Sequence, residues 1–335
     1  MAGRMRRIAR PTRCHPALAR AALLGALACA AAGPAAAQEW PQRVVRVVVP
    51  YAPGGNADTV GRITAQALTA GIGQQFVVEN RPGAAGAIGT EFVAKASPDG
   101  YTLCVCALSQ MAPVPLTQKV GYDPLKDFVA VAEIGANGFV ITVSPAVPAA
   151  TLRDLVAYVK ARPGRLNYAS GGNGTLTQLS AVLFLKQAGL DMIHVPYKGG
   201  SQTITETMAD HVQMYSSSPS EVIPFVGTGR LQLLGISSET RIPQLPDVPA
   251  IAEIYPGFRA VTWNGLFAPA GTPAPIVERL AAAVAGAMKD PEFVERLARI
   301  GIEPTPGTPS QFAEILRADY ALWRDVIAQA GITSD

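Results

Sequence analysis

Residues 43–50 read RVVRVVVP, a nearly unbroken apolar run that predicts a strand buried on both faces and ending in a glycine-rich turn. The rhythm then changes to helical. Val60, Ile63, Ala67 and Leu68 keep one face after Asp58, which reads either as the helix N-cap or as a direct acceptor for a ligand hydroxyl or amine. Residues 75–79 are strand-like, 80–86 form a loop, and a helix near 87–96 leads to a second apolar strand at 101–106. From about residue 142 the same grammar restarts. Thr151 and Asp154 have capping-box spacing, Leu152, Leu155, Val156 and Val159 share a face, and Pro163-Gly164 stops the helix. A strand at 166–169 enters the turn 170–175 and a helix that runs to Gly189. The run 194–200 ends another strand, and 212–215 and 231–236 supply two more. Two helices close the chain. One starts at Thr272-Pro273 with Ile276, Leu280, Ala283, Val284 and Ala287 on one side, the other at Thr308-Pro309 with Phe312, Ile315, Leu316, Trp323 and Ile327. Strands alternating with helices throughout predict an α/β protein, and the length allows two domains.

The first 37 residues do not fit that grammar. They carry Arg4, Arg6, Arg7, Arg10, Arg13 and Arg20 with no acidic residue, then a short apolar stretch at 21–32, too short to span a bilayer. Ala35-Ala36-Ala37 before Gln38 fits small-x-small cleavage, so residues 1–37 are expected to be a signal peptide cleaved after Ala37, and the protein periplasmic. Removing the segment changes the charge argument. Six of the 28 Lys and Arg leave with it, so 22 face 25 acidic residues, about −3, which gives no basic surface for nucleic acid. Cys14 and Cys29 leave too. The remaining Cys104 and Cys106 sit two apart on a strand, a geometry poor for a disulfide, and are expected to be two buried small hydrophobes.

Little here supports catalysis. His194 and His211 stand without G-x-S-x-G, H-x-x-x-H or C-x-x-C, so no catalytic residue, metal site or cofactor is expected. Neither glycine-rich turn has the spacing of a nucleotide-binding loop. What the turns at 51–58 and 170–175 share is the ability to present unpaired helix N-terminal N–H groups to an anion, with glycine allowing close approach. A helix N-terminus supplies ~0.3–1 kcal/mol at a surface, up to about 2 when partly buried. Micromolar binding corresponds to about 8 kcal/mol. Two sets of turns closing on one dehydrated ligand are therefore needed.

The residues also resemble a known family. Trp40-Pro41, the run from Val48 through Tyr51-Ala52-Pro53-Gly54-Gly55 to Asp58, Glu79-Asn80-Arg81-Pro82-Gly83 and Ser97-Pro98-Asp99-Gly100-Tyr101 are similar to the tripartite tricarboxylate transporter substrate-binding (Bug or TctC-like) family. The likeness continues through Tyr122-Asp123-Pro124, Tyr168-Ala169-Ser170, His194-Val195-Pro196-Tyr197-Lys198-Gly199, Leu245-Pro246-Asp247-Val248-Pro249, Ala268 to Pro273 and Ala330-Gly331-Ile332. It implies a two-domain type II periplasmic-binding-protein fold, a Venus flytrap hinged on two crossing segments. The first domain would be 38–141 plus 263–335, and the second 142–262. Carried over by position, the ligand-facing residues are Tyr51, Pro53, Gly54, Gly55, Asn56, Asp58, Ala87, Gly89 and Ser109 in the first domain. Those in the second are Ser170, Gly172, Gly174, Thr175, Gln178, Tyr197, Ser216 and Ser217. The chain departs from the family pattern at Gln178, where His is common, and Glu221 is a further variable element.

The function this implies is a monomeric, non-catalytic receptor that captures a small organic carboxylate and passes it to a permease of one large and one small membrane subunit. A solute sensor docking on a signalling partner is the alternative reading, and an exported α/β enzyme a more distant one.

Overall fold

A computed structural model describes residues 40–330; the expected signal peptide with its expected cleavage point, and Gly331-Ile332, lie outside the described residues. The chain begins with β1 (Val45–Val49), α1 (Asn56–Ile72), β2 (Phe76–Asn80), α2 (Ala87–Ala94) and β3 (Thr102–Ala107). Short helices α3 (Leu108–Met111) and α4 (Pro113–Thr117) precede the long β4 (Phe128–Gly138). The middle of the chain holds β5 (Val140–Val143), α5 (Leu152–Lys160), β6 (Asn167–Ser170), α6 (Leu176–Ala188), β7 (Ile193–Pro196), α7 (Gly200–Met208), β8 (Met214–Ser217), α8 (Pro219–Val222) and β9 (Gln232–Ile236). It closes with β10 (Val261–Pro269), α9 (Ala274–Ala287), α10 (Pro291–Arg299), β11 (Glu303–Pro304) and α11 (Pro309–Ala330).

These strands form two sheets with one design. The six-stranded sheet runs β11-β4-β10-β3-β1-β2, and the five-stranded sheet β7-β6-β8-β5-β9. In each, a parallel unit (β2-β1-β3; β7-β6-β8) is joined by an antiparallel strand that arrives from elsewhere in the chain: β10 against β3, and β5 against β8. The chain crosses between sheets twice, from β4 through Phe139 into β5 and from β9 back to β10. Ser237 ties the crossings together: its Oγ accepts from the Phe139 N–H at 2.6 Å and donates to the Ala260 carbonyl at 2.5 Å.

The local reasons match the sequence. In β1, Val45, Val47, Val48 and Val49 are fully buried, as expected of a parallel strand covered on both faces. Helix α5 starts on the expected box, with Thr151 Oγ1 accepting from the Asp154 N–H and Asp154 accepting from the Thr151 N–H. Helix α11 packs through Phe312 and Trp323, and Asp319 on it accepts from Trp263 Nε1 at 2.7 Å. The helix near 87–96 ends at Ala94, and α10 and β11 fill the space between the two anticipated C-terminal helices.

One expectation is overturned. Cys104 and Cys106 are joined by a disulfide. Their Cα atoms lie 5.5 Å apart, within the range a disulfide spans, whereas a fully extended strand would hold them about 6.6 Å apart. Both remain fully buried.

Candidate functional site

A cavity lies between the two sheets' carboxyl ends, where the parallel strands β1, β3, β6 and β8 hand over to helices, the position open α/β sheets use for ligands. From the first half it is lined by Tyr51, Gly55, Asn56, Ala57, Ala107 and Ser109. Facing them are Gly171, Thr177, Gly199, Gly200, Tyr215, Ser218 and Glu221, with Phe139 and Thr262 at the crossing segments. The space open to the centres of water-sized spheres is ≈ 50 Å³, enough for a few waters at ~10–15 Å³ each. No lining residue is Lys or Arg.

The two halves touch across this cavity. Ser109 Oγ accepts the Leu176 N–H at 3.0 Å, so a hydroxyl at the start of α3 satisfies the first amide of α6. Ser220 Oγ donates to Asn56 Oδ1 at 2.8 Å, and the Asn56 N–H points to Glu221 Oε1 at 3.4 Å. Gly172, at φ 134, lies so near Ala85 that a Cβ there would stand 3.0 Å from Ala85 Cβ, a tight contact added to a backbone conformation that favours glycine. Gln110 pins the first wall: its Nε2 donates to the Tyr51 hydroxyl at 2.6 Å and to the Ala85 carbonyl at 2.9 Å. Burial pushes the Tyr51 hydroxyl up to about 12, so it stays protonated at neutral pH.

Of the residues expected to face a ligand, Tyr51, Gly55, Asn56 and Ser109 border the cavity. Pro53 and Gly54 are exposed at the outer end of the first turn. Ala87 and Gly89 are buried behind it; a Cβ on Gly89 would meet Pro50 Cα at 2.9 Å and the Arg81 carbonyl at 2.6 Å. In the second half Ser216 donates to Ser180, and Ser217 bonds Thr142 Oγ1 at 2.6 Å, both fully buried. Tyr197 packs against the core under the five-stranded sheet.

The turn 170–175 is largely occupied with itself. The Gly171 N–H donates to Thr177 Oγ1, Gly172 to Ser170 Oγ and Gly174 to Gln178 Oε1, while Thr175 Oγ1 donates to the Gly172 carbonyl. Only Gly171 of that turn borders the cavity, beside the turn before α7 and Glu221. Nothing local in the sequence marks Gly199 and Gly200 as ligand-facing, because glycines at a strand end serve geometry as readily as ligands. The signal for Glu221 was present, an acidic residue amid serines, but not its reach across the cleft.

Asp58 is neither the N-cap nor a cavity residue. Gly55 is the N-cap of α1, and Asp58 lies in the first turn, 4% exposed. Its Oδ2 accepts from the Gly54 N–H at 2.9 Å and Arg62 Nε at 3.0 Å, and its Oδ1 from Asn80 Nδ2 at 2.9 Å. Burial pushes its pKa up, but the bonds from Arg62, Gly54 and Asn80 outweigh it and hold the carboxyl below the usual range. A depressed carboxylate stabilises the fold above its unfolded value near pH 4 and loses that contribution as pH falls through the folded value. Asp58→Ala is expected to cost about 1–3 kcal/mol at pH 7, because three donors lose their acceptor. Chemical denaturation at pH 7 and pH 3 checks this, with the gap to wild type narrowing at the lower pH.

Ser170 and His194 look superficially like a catalytic pair, with Oγ and Nε2 2.7 Å apart. Their hydrogen bonds run the wrong way for one. Gln178 Nε2 donates to His194 Nδ1 at 3.1 Å, so neutral His194 carries its proton on Nε2 and gives it to Ser170, whereas a general base must receive it. Stacked on Tyr168, His194 is lowered to about 4 by burial. The unfolded imidazole titrates near 6.5, so its contribution to stability is full above about pH 6.5 and lost as pH falls toward 4. Proton-detected titration of the His194 ring should give a midpoint near 4; a midpoint near 6.5 would contradict the buried network.

Residues 60–332 match the family model described as tripartite tricarboxylate transporter family receptor. The chain belongs to that family. A relative from Pseudomonas sp. strain P51, described only by its place in the tcbD-tcbE intergenic region, is 36% identical over 296 residues, 87% of each chain. Among solved structures, the periplasmic binding protein BugD superposes with a TM-score of 0.85 at 29% identity, covering 88% of this receptor and 100% of BugD. R. palustris Rpa4515 with adipate gives 0.85 at 33% identity, covering 88% and 99%. The receptor therefore has the two-domain periplasmic-binding-protein fold, with the two crossing segments as its hinge, and it is a solute-binding protein of the Bug and TctC type rather than an enzyme.

Proposed function

We propose that this receptor, exported and cleaved after Ala37, closes as a monomer on a small organic carboxylate. It would then deliver that solute to a permease with one large and one small membrane subunit. The observation that carries the reading is the cavity lined from opposite halves by the first turns of α1 and α7, where a bound anion would meet their N–H groups. The adipate in the Rpa4515 structure supports a carboxylate as the ligand class. The domains would be 38–141 plus 263–335 and 142–262; the sheet membership of β5 and β10 favours placing the exact boundaries at Phe139 and Ala260.

Tyr51, Gly55, Asn56 and Ser109 would meet the ligand directly. Pro53, Gly54, Ser170, Gly172, Gly174, Thr175 and Gln178 would shape the turns around it. Thermal-shift and calorimetric titration of the mature protein, unfolded and refolded to strip any retained solute, against mono-, di-, tri- and aminocarboxylates tests the reading. Saturable one-to-one binding of at least one acid is expected. Failure of every acid would sink it. Uptake of that acid by cells lacking the receptor, with and without its gene restored, tests delivery.

A further inference from the structure

Glu221 brings a carboxylate into a cavity whose other lining residues are neutral. It starts at α8, in the second half, and reaches to the first turn of α1 in the other. Its Oε2 accepts from the Tyr215 hydroxyl at 3.0 Å and the Ser218 N–H at 3.1 Å, and its Oε1 from the Asn56 N–H at 3.4 Å. The glycine at 200 makes this seat possible, since a Cβ there would stand 1.7 Å from Oε1. Asn56 offers one of the first-turn amides that the sequence marked for a ligand anion, and the protein's own carboxylate already takes it.

Two consequences follow for a ligand. A carboxylate aimed at Asn56 must displace Glu221, share a proton with it, or lie beside a like charge in a cavity with no lining cation. An ammonium meets the opposite situation: Oε1 has only one long hydrogen bond and keeps lone-pair capacity, and the hydroxyl oxygens of Tyr215 and Ser218 add neutral acceptors. We propose that Glu221 pairs with an ammonium group of the solute, so that this receptor selects aminocarboxylates over acids of the same length that lack the amine. The proposal rests on the carboxylate-receptor reading and narrows its substrate class. The ligand's carboxylate would then lie at the remaining first-turn amides of α1 or α7.

Burial pushes the Glu221 carboxyl above the usual range, against the bonds from Ser218, Tyr215 and Asn56. All three partners are used as donors, and accepting from each of them suits the ionised form. A bound ammonium would oppose the burial effect and stabilise that form further.

The test is calorimetry at pH 7 on matched probes: glutarate against 4-aminobutanoate, adipate against 5-aminopentanoate, malate against aspartate, and 2-hydroxyglutarate against glutamate. In the pair that binds tightest, wild type is expected to favour the ammonium member by about tenfold or more, the scale of one buried charge-assisted bond. Glu221→Gln, with its melting temperature recorded as a folding control, should reduce that preference to below about threefold. Equal or tighter binding of the member without the amine by wild type overturns the proposal and needs no variant. A preference that survives in Glu221→Gln overturns it as well. If no probe of either kind binds wild type while another acid of the wider panel does, this proposal falls alone; if every acid of that panel fails, the receptor reading falls with it.

Discussion

Replacing Gly55 with Leu is expected to lower affinity for any solute by about 100-fold or more, equivalent to ~2.7 kcal/mol, while the protein stays folded. Gly55 is the N-cap of α1, and its φ of −87° is open to any residue, so the substitution strains no backbone. A Cβ there has 3.7 Å to both Glu221 Oε1 and the Gly200 nitrogen, ordinary contact distances. Gly55→Ala should therefore bind within about threefold of wild type. The further carbons of Leu have nowhere to go but the cavity, which at ≈ 50 Å³ has no room for them beside a ligand. The N-cap change itself should cost no more than about 1 kcal/mol of stability. Calorimetry with a melting curve separates the two effects; Gly55→Leu binding like wild type would remove this turn from the site.

A large loss of stability is expected at Gly265→Ala. Gly265 sits in β10, between β3 and β4, and an added Cβ would lie 2.2 Å from Phe312 Cζ and 3.1 Å from the Phe267 ring. Phe312 has little freedom to move aside. It is 1% exposed, with Trp263 packed edge-on at 5.0 Å and Phe267 at 5.1 Å. Overpacking of this kind costs about 1–3 kcal/mol or more. Each kcal/mol moves the melting temperature of a chain of this size by about 2 °C or slightly more, so a fall of roughly 2–6 °C is expected by calorimetry. A shift below about 1 °C would contradict the packing described for α11 against the first sheet.

The parts of the fold legible in the sequence were those whose cause is local. RVVRVVVP announced β1 because both its faces are covered, and Thr151 with Asp154 announced α5 because a capping box is closed within four residues. The crossing strands were not legible. β4 and β10 pair antiparallel from Val261 opposite Gly138 to Pro269 opposite Phe128, and nothing local in either segment names a partner so far along the chain. The sulfur pairing failed for a related reason: an ideal strand was assumed, and β3 departs from it between Cys104 and Cys106.

The candidate site divides the same way. Tyr51, Gly55 and Asn56 are a strand-to-helix turn visible as a motif, and they border the cavity. Asp58 carries the right chemistry for either role considered, and only the positions of Arg62, Asn80 and the Gly54 N–H decide against both. Glu221 shows the limit most clearly. Its carboxylate meets Asn56, 165 positions away in sequence, through a contact that exists only once both halves are folded.

Enclosure of one small organic acid between the two halves is tested by native mass spectrometry of freshly purified mature protein. The same sample is then sprayed under denaturing conditions, and again after incubation with a carboxylate and aminocarboxylate panel. A single adduct per chain is expected, with the mass of a small acid, retained from the cell or taken from the panel, and lost on denaturation. Bare protein alone in every native spectrum would contradict it.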